Sequence, residues 1–193
     1  DDMIKKYPNS TLIASGVEVG LPKNQMGNSE VGHMNIGAGR IVNQDLIKLN
    51  KFLKDKGIKN NKTFVKAVNS AIQKGNNFHL IGLLSDGGVH SHSKHLYYIL
   101  DYLKDKKLKK IFLHVFTDGR DASPKKGISE IQKLQSHIKN TNIKIATVSG
   151  RYYSMDRDNR WERIKLAYDA IVNGVGESST NLIDSIKKSY DNS

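Results

Sequence analysis

Phe78-His79-Leu80-Ile81-Gly82-Leu83-Leu84 runs straight into Ser85-Asp86-Gly87-Gly88-Val89-His90. A short apolar run bounded by turn residues reads as a strand, and the polar residues after it read as a turn. The same passage recurs twice. Strands expected at 78–84, 111–116 and 143–148 alternate with amphipathic helices expected at 94–106, 126–138 and 159–172. Strand–helix alternation with short links predicts an α/β fold, a parallel-type sheet layered by helices. The second strand leads into Thr117-Asp118-Gly119-Arg120-Asp121 and the third into Ser149-Gly150-Arg151. Glycine turns at strand ends reverse a chain for purely structural reasons. They do not explain why charged groups gather at all three ends. In open parallel sheets ligands bind beyond the carboxyl ends of the strands, so these turns predict an anion pocket.

Upstream, helices are expected at 45–54, with Leu46, Leu49 and Phe52 on one face, and at 62–74, stopped by Gly75. A short strand is expected at 11–14. Between them lies Gln25-Met26-Gly27-Asn28-Ser29-Glu30-Val31-Gly32-His33-Met34-Asn35-Ile36-Gly37-Ala38-Gly39-Arg40. Gly27 permits a sharp turn ahead of Ser29, and Gly32 permits close packing behind it. A serine at such a corner, with a helix beginning beyond it, is placed as a nucleophile near an anion. A helix N-cap uses the same residues and needs no chemistry. Geometry leaves both readings open.

Composition narrows the class. The chain has 193 residues and a formal net charge of +12, and no cysteine, so neither disulfides nor cysteine metal sites can form. No apolar run approaches the ~20 residues that span a membrane. The first methionine is residue 3, which leads us to expect a fragment. The positive charge invites a basic polyanion- or RNA-binding module as an alternative. Of 31 basic residues, however, only six are arginine; the lysines are scattered and there is little aromatic interleaving for base stacking. Four of the arginines fall between Arg151 and Arg163, and Arg40 and Arg120 sit in glycine-containing turns. Arginine offers a rigid fork for carboxylate or phosphate, so small-anion recognition is the stronger reading.

Two local patterns carry further expectations. His90, His92 and His95 have the look of a metal run and support a second alternative, a metal hydrolase. A helix starting near Ser93 would turn His95 away from His90, so His92 and His95 are equally explained as capping or packing groups. Trp161, Ile164, Leu166 and Ala167 are expected on the buried side of a helix, with Arg160 and Arg163 exposed.

Four stretches together resemble one family. Gly20-Leu21-Pro22 with 25–40, Leu83-Leu84-Ser85-Asp86-Gly87-Gly88-Val89-His90-Ser91-His92, Asp118-Gly119-Arg120-Asp121, and Ser149-Gly150-Arg151-Tyr152-Tyr153-Ser154-Met155-Asp156-Arg157-Asp158 are similar, in order and spacing, to the cofactor-independent phosphoglycerate mutases of the alkaline-phosphatase superfamily. The resemblance implies a partial phosphatase-like α/β segment at 1–43 and a substrate-binding transferase domain at 44–193, incomplete at its C-terminus. It implies interconversion of 3-phosphoglycerate and 2-phosphoglycerate through a phosphoserine, in a cytoplasmic monomer that binds a small molecule, no nucleic acid and no membrane. It makes Ser29 the nucleophile and a metal ligand, and puts His90, Arg120, Asp121, Arg151 and Arg157 at the substrate. Two divalent metal ions, usually Mn²⁺, belong to the complete enzyme. Their other ligands find no match in this sequence, so the chain alone is expected to hold no catalytic metal and to form no phosphoserine.

Overall fold

Three parallel strands, β1 (Phe78–Leu84), β2 (Ile111–Thr117) and β3 (Ile143–Gly150), form one sheet in the order β1-β2-β3. The computed structural model describes residues 2–55 and 57–191; the chain divides into two units, residues 1–55 and 56–193, and the sheet lies in the second. Helices α5 (Ser93–Lys104) and α6 (Gly127–His137) make the two crossovers. Phe78 pairs with Ile111 and Leu84 with Thr117, so β1 and β2 end level. The β2–β3 pairing shifts between Leu113 and His114, which leaves Ala146 out of the ladder. This bulge breaks strict alternation: Ile143, Ile145 and Val148 all pack on the same core.

That core takes one side of the sheet and the apolar faces of α4 (Lys62–Gln73), α5, α6 and α9 (Leu182–Asp191). Val68, Leu100, Leu103, Ile111, Ile131 and Leu134 are fully buried. Each large aliphatic side chain removed from water contributes roughly 1.5–3 kcal/mol before the entropy of ordering is subtracted. Phe64 of α4 meets Phe78 edge-on at 6.2 Å and Tyr102 at 5.8 Å, which pins α4 to β1 and α5. By alternation the other side of the sheet carries His79, Ile81 and His114. There His79 Nδ1 and His114 Nε2 are 2.9 Å apart, and His114 Nδ1 lies 2.9 Å from Thr147 Oγ1.

The first unit contains α1 (Asp2–Lys6), α2 (Ser29–Ala38) and α3 (Asp45–Lys54), and its small core is Val31 of α2 with Val19 and Leu21. So little apolar surface needs polar help. Asn35 supplies it, donating to the Val19 carbonyl (3.0 Å) and accepting from the Val42 N–H (2.8 Å). The strand expected at 11–14 is absent: those residues are irregular, with Leu12 and Ile13 exposed. A strand without a neighbour to pair with leaves its backbone groups to water.

Past β3 the chain forms α7 (Arg151–Ser154) and α8 (Trp161–Tyr168), then a π-helical turn, Asp169–Asn173, closed by Gly174. The helix expected from 159 starts two residues later because Asn159 sits at φ +61°. The expectation for its buried side is also corrected. Trp161 is 71% and Leu166 60% exposed, while Ala167 is buried. Arg163 turns inward instead, because the carboxylate of Asp156, 2% exposed, needs its guanidinium. Among the described residues no helix is long and apolar enough to cross a membrane.

Candidate active site

The β1, β2 and β3 ends are brought level by the parallel register, and their turns meet through one buried carboxylate. Asp118 follows β2 directly. Its Oδ1 accepts from the backbone N–H groups of Arg120 and Asp121, both at 3.0 Å, which is an Asx-type turn. The same oxygen accepts from Arg151 Nη1 at 2.8 Å, and Oδ2 accepts from the Ser85 hydroxyl at 2.5 Å. Ser85 in turn accepts from the Gly87 N–H at 3.0 Å. Burial by itself would raise the Asp118 carboxyl. The Ser85 hydroxyl, the Arg151 guanidinium and the two backbone N–H groups outweigh it, and Asp118 is held well below the usual carboxylate range.

Arg151 is the first residue after β3, so the strand aims it at this cluster. It also donates from Nη1 to Asp121 Oδ2 at 2.5 Å. Burial works against the Arg151 charge, but the Asp121 and Asp118 hydrogen bonds raise its pKa overall. His90, half-exposed, has Nε2 3.8 Å from Asp121 Oδ2, beyond hydrogen-bond reach. Three of the expected residues, His90, Asp121 and Arg151, are thus neighbours. Arg120 stands in the same turn with its side chain exposed, and among the described residues that guanidinium has no ion pair. Arg157 is likewise exposed, on the loop between α7 and α8. That loop is shaped by Asp156, which accepts from the Asp158 and Arg160 N–H groups and from Arg163 Nη1. The Arg163 guanidinium lies 3.8 Å from the centre of the Tyr152 ring.

Gly87 is where two of these turns touch. A Cβ there would lie 2.5 Å from the Asp121 carbonyl oxygen, so only glycine lets the β1 and β2 turns approach this closely. Asp86 and Lys126 form an ion pair across the same approach, and it lowers the Asp86 pKa.

The histidine run does not converge. His92 is the N-cap of α5, its Nδ1 accepting from the Lys94 N–H at 3.2 Å, and burial lowers its pKa and that of His95. His90 faces Asp121 instead. The metal-hydrolase alternative loses its ligand set: among the described residues no three His, Cys, Asp or Glu are placed to hold one ion.

Ser29 stands in the first unit as the first residue of α2. The cap is its neighbour: Asn28 Oδ1 accepts from the Val31 N–H at 3.0 Å, so the Ser29 hydroxyl is not used for capping. Gly27 allows the approach, since a Cβ there would lie 1.8 Å from the Ala14 carbonyl oxygen. Gly32 does not play the packing part expected of it; it lies inside α2 with nothing within 4 Å of its missing Cβ. Ser29 Oγ is 3.1 Å from His33 Nδ1, and the same nitrogen is 2.7 Å from the Ser29 carbonyl oxygen. A carbonyl only accepts, so Nδ1 carries the hydrogen. His33 therefore donates toward Ser29 and does not deprotonate it.

Asp118, Ser85 and Asp156 received no role from the sequence, although all three lie inside quoted motifs. The signal was present for Asp118, because Asp-Gly after a strand is an Asx-turn signature. Nothing in the sequence showed that Ser85 would reach it from another strand.

Residues 49–193 match the family described as BPG-independent PGAM N-terminus. The 2,3-bisphosphoglycerate-independent phosphoglycerate mutases of Flavobacterium johnsoniae, Clostridium perfringens (strain 13) and Bacteroides fragilis are 50%, 51% and 49% identical over 191 residues. The alignment with the first covers 99% of this chain and 38% of the relative, so the chain spans well under half of that length. A crystal structure of Leishmania mexicana phosphoglycerate mutase, determined at low cobalt concentration, superposes with a TM-score of 0.81 at 31% identity, over 93% of this chain and 34% of that one. A family match over the whole of the second unit, half-identity to its members along nearly the whole chain, and the strand-end cluster agree: the chain belongs to the 2,3-bisphosphoglycerate-independent phosphoglycerate mutase family.

Proposed function

We propose that this protein takes part in the interconversion of 3-phosphoglycerate and 2-phosphoglycerate, a step of glycolysis and gluconeogenesis, in the cytoplasm and as a monomer. Ser29 Oγ takes the phosphoryl group from one substrate oxygen, releasing glycerate. It then returns the group to the other hydroxyl, with one proton moved each way. Residues 1–43 supply the phosphatase-like part and residues 44–193 the part that holds the glycerate. Asp121 accepts the proton of a glycerate hydroxyl, while Arg120, Arg151 and Arg157 hold carboxylate and phosphate and His90 donates to them. Positioning and neutralisation of charge are what a protein contributes most to phosphoryl transfer. Two divalent ions, Mn²⁺ by the family resemblance, would neutralise phosphoryl charge, with Ser29 among their ligands.

The observation that carries this reading is the meeting of His90, Asp121 and Arg151 at three strand ends, where an acceptor carboxylate touches an arginine fork. The test uses this sequence within a chain of its relatives' full length. Incubation with Mn²⁺ and phosphate-labelled 3-phosphoglycerate should label Ser29, and Ser29→Ala should abolish both label and turnover. Turnover that survives Ser29→Ala removes the phosphoserine.

A further inference from the structure

Two carboxylates share one nitrogen of Arg151, and their surroundings differ. Asp118 has a side chain 4% exposed, and its two oxygens accept four hydrogen bonds, from Ser85, Arg120 N–H, Asp121 N–H and Arg151. Ser85, itself 1% exposed, already accepts from Gly87 N–H, so its own hydrogen goes to Asp118. Asp121 is 16% exposed, and among the described residues its carboxylate accepts only from Arg151. Water can replace Asp121 at the guanidinium. It cannot reach Asp118 to do the same, and a buried guanidinium deprived of Asp118 would be left uncompensated. Neither bond uses Nε or Nη2 of Arg151.

We propose that Asp118 is a positioning residue that holds Arg151 at the strand ends independently of Asp121. Asp121 then exchanges Arg151 for a ligand hydroxyl while the guanidinium stays in place. Asp118 provides the fixed half of the clamp and Asp121 the exchangeable half. The identity of the ligand rests on the phosphoglycerate reading above; the anchoring does not.

The experiment separates charge from shape. In Asp118→Asn the amide oxygen still accepts from both backbone N–H groups and the amide nitrogen can donate to Ser85 Oγ, so the turn keeps its form and loses only its charge. Asp121→Asn removes the other charge. In the ¹⁵N-labelled 193-residue chain, the Arg151 Nη–H signals, which include the nitrogen that both carboxylates share, are identified by their loss in Arg151→Lys, and their hydrogen exchange is measured. In wild type and in Asp121→Asn, exchange should be about tenfold or more slower than for Arg120 and Arg157, the scale of one charge-assisted hydrogen bond. In Asp118→Asn it should rise several-fold toward their rate, because the amide oxygen that remains is an uncharged and weaker acceptor for Nη1. A purely structural part for Asp118 would lower the melting temperature of Asp118→Asn and leave Arg151 protected, which overturns the proposal. Loss of protection in Asp121→Asn overturns it equally, and that arm decides the matter if Asp118→Asn does not fold. Titration of 3-phosphoglycerate into the wild-type chain is read separately. Shifts at Arg120 and Arg157 with Arg151 still protected support both readings. No shift at any arginine removes the ligand assignment, and the exchange rates then judge the anchoring alone.

Discussion

Replacing Gly87 by alanine tests the close approach on which the cluster depends. The new methyl would stand 2.5 Å from the Asp121 carbonyl oxygen, 3.0 Å from its carbon and 3.1 Å from Asp121 Cβ. Ordinary contact begins near 3.4 Å, so the turns must separate by roughly 0.9 Å, and backbone atoms give way less readily than a side-chain tip. Overpacking of this kind costs about 1–3 kcal/mol. The separation also stretches the 2.5 Å bond from Ser85 to Asp118, because Ser85 moves with Gly87. A hydrogen bond to a charged group contributes roughly 1.5–3 kcal/mol, and we expect part of that to be lost as well. The combined expectation is about 2–4 kcal/mol, or a fall of roughly 6–16 °C in melting temperature for a unit of this size. Urea unfolding of the 193-residue chain measures it. Gly82→Ala is the internal control: Gly82 lies in β1, and nothing stands within 4 Å of its missing Cβ. That variant should be neutral or slightly stabilising. Equal stability of Gly87→Ala and Gly82→Ala would refute the steric reasoning.

Arg151→Lys keeps the charge but loses the fork, so in a chain of the relatives' full length it should lower phosphoglycerate turnover by about 10²-fold, the scale of a misplaced binding group; wild-type rates would take Arg151 out of the site. Burial lowers the pKa of His114, with a smaller push from His79, and burial likewise lowers His92 and His95. Groups held neutral in the folded state favour it fully above their unfolded pKa, near 6.5, and this advantage is lost as pH falls below that value. The urea midpoint should therefore drop between pH 7.5 and 5.5, at no more than about 1.4 kcal/mol per pH unit for His114, and His114→Asn should flatten the dependence; a pH-independent midpoint would contradict it. The +12 charge should give only weak, steeply salt-dependent RNA retention in a gel shift at physiological salt, and tight binding there would restore the polyanion-binding alternative.

The parallel sheet could be read in advance because each of its strands is a short, mostly apolar run ended by a turn, and β1 begins and ends where the pattern puts it. The bulge at Ala146 could not. Ile143, Ile145 and Val148 look like a broken alternation until the pairing with β2 shows one residue left over. Trp161 misled because hydrophobicity says nothing of a competing buried charge: Arg163 takes the inner position to meet Asp156 and the Tyr152 ring. At the site, the expected residues were those with free charge or a role in the resembling family. Asp118 escaped because its work is internal, joining turns that are far apart in sequence, and motif spacing within one turn does not report such contacts.

The bond between Arg151 and Asp121 has a consequence for selectivity. A carboxylate tethered within 2.5 Å of a guanidinium acts as a competitor at very high effective concentration, millimolar or far above, against any anion in solution. Chloride, acetate or inorganic phosphate, engaging this one arginine from dilute solution, loses to that competitor at Nη1. A ligand that also engages Arg120 and Arg157 brings further contacts to the exchange and can win it. Under the proposed function, Asp121 thus screens simple anions from the Arg151 nitrogen it occupies, and the site admits ligands whose charges also reach Arg120 and Arg157.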